Sequence, residues 1–126
     1  MPEPIIYGPC EKESVKLKII VACGIWIAPV LGINPIHVNA RYVESTQDPA
    51  KTSLHIAITE LFKEGLDGQE RNPEVCNELM DAMEKGCNMF IAEGHFHNRP
   101  KSVTIVPNMV DYKKSKGEYR NWKVSV

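Results

Sequence analysis

The segment Glu93-Gly94-His95-Phe96-His97-Asn98-Arg99-Pro100 gathers two imidazoles, an aromatic ring, an amide and a guanidinium in neighbouring positions. On an extended backbone Glu93, His95 and His97 share a face, because side chains two residues apart point the same way. A carboxylate with two imidazoles suits zinc or non-haem iron. The same segment suits a second chemistry, in which Phe96 stacks on a base, Asn98 pairs with a base edge and Arg99 takes a phosphate bidentately. No C-x-x-C or H-E-x-x-H accompanies the histidines, so recognition of a nucleotide-like ligand is preferred to a metal site. His37, Asn39 and Arg41 form a second polar row, while Trp26 and Phe90 add aromatic surface.

Templates for catalysis are missing. The chain has no Walker loop, no G-x-G-x-x-G after a strand and no G-x-S-x-G elbow. Cys23 and Cys87 have no marked base beside them in sequence, and Glu44, Glu60 and Glu93 are carboxylates whose default reading is surface charge. Lys113, Lys114, Lys116 and Arg120 interleave with Tyr112, Tyr119 and Trp122, but Asp111 and Glu118 dilute the charge, so this reads as a solvated loop.

With 126 residues the chain has the length of one domain, spanning 1–126, with 1–13 expected to be irregular. A formal net charge of −1 excludes a general nucleic-acid binder, which needs a basic excess to neutralise phosphates. Cys10, Cys23, Cys76 and Cys87 form no C-x-x-C pair, and a reduced cytoplasmic setting is expected. The apolar run from Ile19 to Ile33 is short for a membrane span and holds Gly24, Pro29 and Gly32, so buried strands are expected there.

The elements that must position these residues follow from periodicity. Val15, Leu17 and Ile19 alternate with Lys16 and Lys18, predicting a strand that turns at Cys23-Gly24 into a second strand at Ile25 to Ala28. Gly32-Ile33-Asn34-Pro35 is turn chemistry, and Ile36 to Tyr42 alternates as a third strand. Asp48-Pro49 opens a predicted helix with Leu54, Ala57, Ile58, Leu61 and Phe62 on one stripe, closed by Gly65. Asn72-Pro73 opens another, with Cys76, Leu79, Met80 and Met83 on its stripe and Gly86 at its end. Further strands are predicted at Asn88 to Glu93, Ser102 to Val106 and Asn121 to Val126. The expected class is α+β: a mainly antiparallel sheet of five to six strands with two consecutive helices packed on one face. The uncovered face would be hidden in a homo-oligomer.

From Val15 through Gly65, with the strings GIWIAPVLG and HVNARYVES and the later Asn88 and Phe90, the chain resembles the phage Thoeris anti-defence sponge family. Its members are of similar size and bind cyclic ADP-ribose isomers between protomers. The resemblance implies non-catalytic sequestration of a phosphate-bearing nucleotide signal, a cyclic ADP-ribose isomer or cyclic oligonucleotide, by a homo-oligomer in the host cytoplasm. No cofactor, membrane or stable nucleic-acid partner is implied. The residues that suit the ligand are Trp26, Arg41, Phe90, His95, Phe96, Asn98 and Arg99. Val43-Glu44-Ser45-Thr46 is similar to a string in phage S-adenosylmethionine lyases, which implies instead a small oligomeric enzyme with Glu44 or Glu84 as acid-base group. A metal-dependent enzyme using Glu93, His95 and His97, and a protein-binding inhibitor using the sheet face or the 113–120 loop, are the other readings.

Overall fold

The computed structural model describes residues 2–45, 52–62, 72, 74–110, 115–117 and 120–124. In chain order come β1 (Glu3–Gly8), α1 (Glu13–Leu31), a single 3-10 turn (Pro35–His37), β2 (Arg41–Glu44), β3 (Ser53–Phe62), α2 (Val75–Ala92), β4 (Ser102–Val110), β5 (Ser115–Gly117) and β6 (Arg120–Lys123). The strands form one sheet in the order β2-β1-β3-β4-β5, with β6 also paired to β4. The α+β class is as expected. The sheet is mixed rather than mainly antiparallel, because β1 runs parallel to β2 and β3 parallel to β4. Parallel neighbours need a crossover connection, and each helix supplies one. The helices are therefore not consecutive.

The two β-α-β units lie side by side with β1 antiparallel to β3. They are tied in the same way at their heads: the Asn39 N–H donates to the Pro2 carbonyl at 3.0 Å, and the Lys101 N–H donates to the Thr52 carbonyl at 2.8 Å. Even-numbered residues of β1, and of β3 as far as Ile58, face the helices. Ile6 pairs with Ile56, which pairs with Ile105 on β4, and all three are fully buried. Leu54, Ile58 and Leu61 complete the inner face of β3 against Ile19, Cys23 and Ile27 of α1 and Leu79, Met83, Cys87 and Ile91 of α2. Burying each such Ile or Leu contributes about 1.5–3 kcal/mol.

Several sequence expectations are corrected. Residues 3–8 are a strand, not part of an irregular segment. The strands expected from Val15 to Ala28 are one helix, in which Val15, Ile19, Cys23 and Ile27 recur every four residues on the inner face. Its outer face carries Leu17, Val21 and Ile25, exposed by 60%, 60% and 55%, so α1 is apolar all round and the helical stripe is hidden within the run. The helix is long and apolar enough to cross a membrane by length and composition, with a third of that window buried. The expected turn is real: Gly32 caps α1 in the left-handed region at φ 65, its N–H donating to the Ala28 carbonyl. The helix expected across Leu54 to Phe62 is β3, and the helical start expected at Asp48-Pro49 lies outside the described residues. Of the strand expected at Ile36 to Tyr42, only Arg41 and Tyr42 belong to a strand. The second helix is real but continues through Phe90 and Ile91, so no strand forms at Asn88 to Glu93.

Gly86 explains why α2 was expected to stop early. It lies within the helix beneath the Trp26 indole of α1, and a Cβ there would sit 2.3 Å from the ring. The glycine is an approach point between helices, not a terminus. Gly86→Ala should therefore destabilise the protein by about 1–3 kcal/mol in urea denaturation through overpacking, although alanine is the better helix former. Adding Trp26→Leu should recover part of that loss.

Candidate functional site

The Glu93 to Pro100 segment leaves the end of α2 and folds back over the β1–α1 loop. Glu11 organises it. This largely buried carboxylate accepts the N–H of His97 at 3.1 Å and of Asn98 at 2.7 Å, while the Asn98 side-chain amide donates to the Cys10 carbonyl at 2.9 Å. Phe96 is buried edge-on to Phe90 (5.3 Å between centroids), His95 lies against Phe90 at 4.5 Å, and Trp26 meets Phe90 edge-on at 6.3 Å. Trp26, Phe90, His95 and Phe96 thus form one packed series, with Asn98 fixing the loop. Arg99 is exposed on that loop, and Arg41 is exposed on β2. The His95 ring nitrogen Nε2 lies 2.8 Å from a Glu93 carboxylate oxygen. Among the described residues no three His, Cys, Asp or Glu side chains are placed to hold a metal, so the Glu93, His95 and His97 triad is corrected to a pair. An extended backbone was its premise, and the helix end removes it.

A second polar group sits where β1 and β2 end. The Lys16 ammonium bridges Glu44 and Glu13, and its hydrogen bond to Glu44 raises the lysine and lowers the Glu44 carboxyl. The Tyr42 hydroxyl donates to the Pro9 carbonyl at 2.6 Å, and burial pushes its ionisation well up. Glu84 is engaged by Arg120, whose guanidinium also reaches Asp81, at 2.7 and 2.6 Å. Both carboxylates considered as acid-base groups are therefore ion-paired. Burial also raises the Cys23 thiol and pushes Cys87 up to about 12, which leaves both thiols protonated and unreactive at neutral pH.

The opposite end of the sheet holds a different arrangement. Pro2 is buried at the head of β1, with its carbonyl held by Asn39. Beside it β3 breaks register: the pairing with β4 passes from Ile58–Pro107 to Leu61–Met109, so Thr59 and Glu60 together oppose one residue. Glu60 lies in the left-handed region at φ 53, the one such non-glycine among the described residues. The Thr59 hydroxyl donates to the Glu3 carbonyl at 2.6 Å, which ties the irregular stretch to β1. Bulges and strained backbone concentrate beside functional sites. Sequence reasoning passed over Pro2, and its signal was a proline directly before the alternating Glu3-Pro4-Ile5-Ile6.

No family model matches the sequence, and no curated protein does. Solved structures match its fold. A fused 4-OT wild type symmetric trimer aligns with TM-score 0.58 at 11% identity over 86% of this chain and 85% of that one. Pt0534 inactivated by 2-oxo-3-pentynoate aligns at 0.57 and 14% over 86% and 84%. The macrophage migration inhibitory factor-like protein of Entamoeba histolytica aligns at 0.53 and 19% over 86% and 85%. These are tautomerase/MIF-like folds. They overturn the expected non-catalytic nucleotide-sequestering role.

The Glu11 carboxylate yields a prediction of its own. Glu11→Ala strands two amide donors, so it should cost about 1–3 kcal/mol, and hydrogen exchange at the His97 and Asn98 amides should accelerate while that of β3 follows only the global stability.

Proposed function

We propose that the chain is a small homo-oligomeric enzyme that moves a proton beside the carbonyl of a small oxo acid, with the Pro2 nitrogen as base. The observation that carries this reading is the placement of Pro2, buried at the head of β1 next to the β3 bulge. Removal of Met1 would turn the Pro2 nitrogen into a secondary amine. An α-amino group titrates at about 7.7–8.0 in water, and burial disfavours its charged form, so such an amine is suited to accept a proton near neutral pH. It would take the proton from the carbon beside the carbonyl, leaving the electron pair as an enolate, and return the same proton at a different atom. The substrate gains and loses nothing overall.

The inactivator of Pt0534 supports the substrate class. 2-Oxo-3-pentynoate carries a carboxylate and a triple bond conjugated to a ketone, and such a bond adds an amine or a thiol. Cys23 and Cys87 are buried with raised thiols, which leaves the exposed Cys10 and the partly exposed Cys76 as the cysteines competing with Pro2. Intact mass should show Met1 absent, and incubation with 2-oxo-3-pentynoate should give a single adduct that peptide mass spectrometry maps to Pro2. Pro2→Ala should slow deuterium exchange beside the carbonyl of a small 2-oxo acid by about 100-fold. An adduct on Cys10 or Cys76 without one on Pro2, or retained Met1, overturns the assignment.

The sheet face away from the helices supports self-association. Ile5, Ala57 and Val106 form one half-buried cross-strand row there, and Tyr7 and Val43 extend its apolar area. The fused 4-OT match is a trimer. Light scattering should give a multiple of the chain mass, and Ala57→Arg should reduce it to the monomer by placing a charge in the buried row.

A further inference from the structure

The geometry points to Glu60 as the residue that sets the proton affinity of the Pro2 amine, an inference that rests on the proposed function. Three observations converge on it. First, register places it: Glu3 of β1 pairs with Thr59 of β3, so the next residues outward along the two strands are Pro2 and Glu60. Neighbouring strands hold opposed residues at about 5 Å between Cα atoms. Second, alternation would send Glu60 into the core. Leu54, Ile56 and Ile58 all face inward, and the next inward position is 60, but the bulge puts Leu61 there instead, fully buried, and leaves Glu60 exposed. Third, this rearrangement places Glu60 in the left-handed region at φ 53, a conformation that glycine adopts without strain. A glycine would form the same bulge and keep Leu61 inward. A carboxylate held at backbone cost beside the head of β1 indicates that the charge itself is used.

Two helix ends share this end of the sheet. The α1 terminus leads through the 3-10 turn into β2, and α2 begins where β3 ends. The described titratable and charged groups on the surrounding elements are Glu3 of β1, His37 of the turn, Arg41 of β2, Glu74 and Glu78 at the start of α2, and Lys116 of β5, which pairs with Met109 two strands from β1. Among them Glu60 is the residue next to Pro2 across the β1–β3 pairing. An adjacent carboxylate favours the charged form of an amine. Glu60 therefore shifts upward the pH at which Pro2 becomes a free base, and acts as a positioning residue rather than a group that touches substrate.

Two variants separate charge from strain. Glu60→Gln keeps the strained backbone and removes the charge, whereas Glu60→Gly removes both. The rate at which 2-oxo-3-pentynoate modifies Pro2, followed by mass spectrometry across the titration of an α-amino group, should have its midpoint lowered by about one pH unit in Glu60→Gln. Below both midpoints the variant should react roughly tenfold faster, and above them the two rates should agree. Glu60→Gly should show the same shift together with a higher Tm than the parent, while Glu60→Gln should leave Tm unchanged. Superimposed curves for the parent and Glu60→Gln overturn this inference alone. Absence of a Pro2 adduct in every protein overturns the proposed function and this inference with it.

Discussion

The fully buried row Ile6–Ile56–Ile105 is the constraint from which the rest of the molecule follows. Side chains in a strand alternate strictly, so fixing one inward residue on each of three neighbouring strands fixes every other residue on them. Pro2 and Pro4 then face the covered side, and Ile5, Ala57 and Val106 the open side. The same parity creates a conflict at the end of β3, where a carboxylate falls on an inward position. The bulge resolves it by inserting one residue, and the chain continues with Leu61 in the core. Irregularity at the candidate site thus grows directly out of the packing rule that builds the sheet.

Legibility in the sequence varied with how unambiguous each pattern was. For α2, Leu79, Met80 and Met83 face the core and polar residues the solvent, so the helical period stood clear. In β4, Val103 and Ile105 alternate cleanly with Ser102 and Thr104. The α1 run was opaque because both its faces are apolar, and β-branched residues with two alternating lysines imitate a strand. β3 failed for the converse reason. Its apolar residues fit both periods, and only tertiary pairing with β1 and β4 selects the extended form.

The candidate site was less legible than the fold. Residues 93–100 advertise polar chemistry by composition, yet composition carries no direction. Phe96 turns inward, the His97 and Asn98 amides are consumed by Glu11, and Glu93 with His95 forms a pair at a helix end. The partner that determines this, Glu11, lies more than eighty residues earlier in the chain. Pro2 has the opposite character. Its mark in sequence is only its place before Glu3-Pro4-Ile5-Ile6, and its interest arises from being buried at a strand head beside a bulge formed far along the sequence.

The matched ties at the heads of β1 and β3 show that the chain contains the same β-α-β plan twice, with Asn39 holding Pro2 as Lys101 holds Thr52. A duplicated plan provides two structurally equivalent seats, but the second is occupied by a buried threonine whose nitrogen is locked in a peptide bond. Under the proposed function, with Met1 removed, the first seat presents an amine and the second cannot. Amine chemistry would then have one centre per chain, not one per β-α-β unit, leaving the second unit free to diverge. It carries the added strands β5 and β6 on β4, an elaboration with no counterpart on β2 among the described residues.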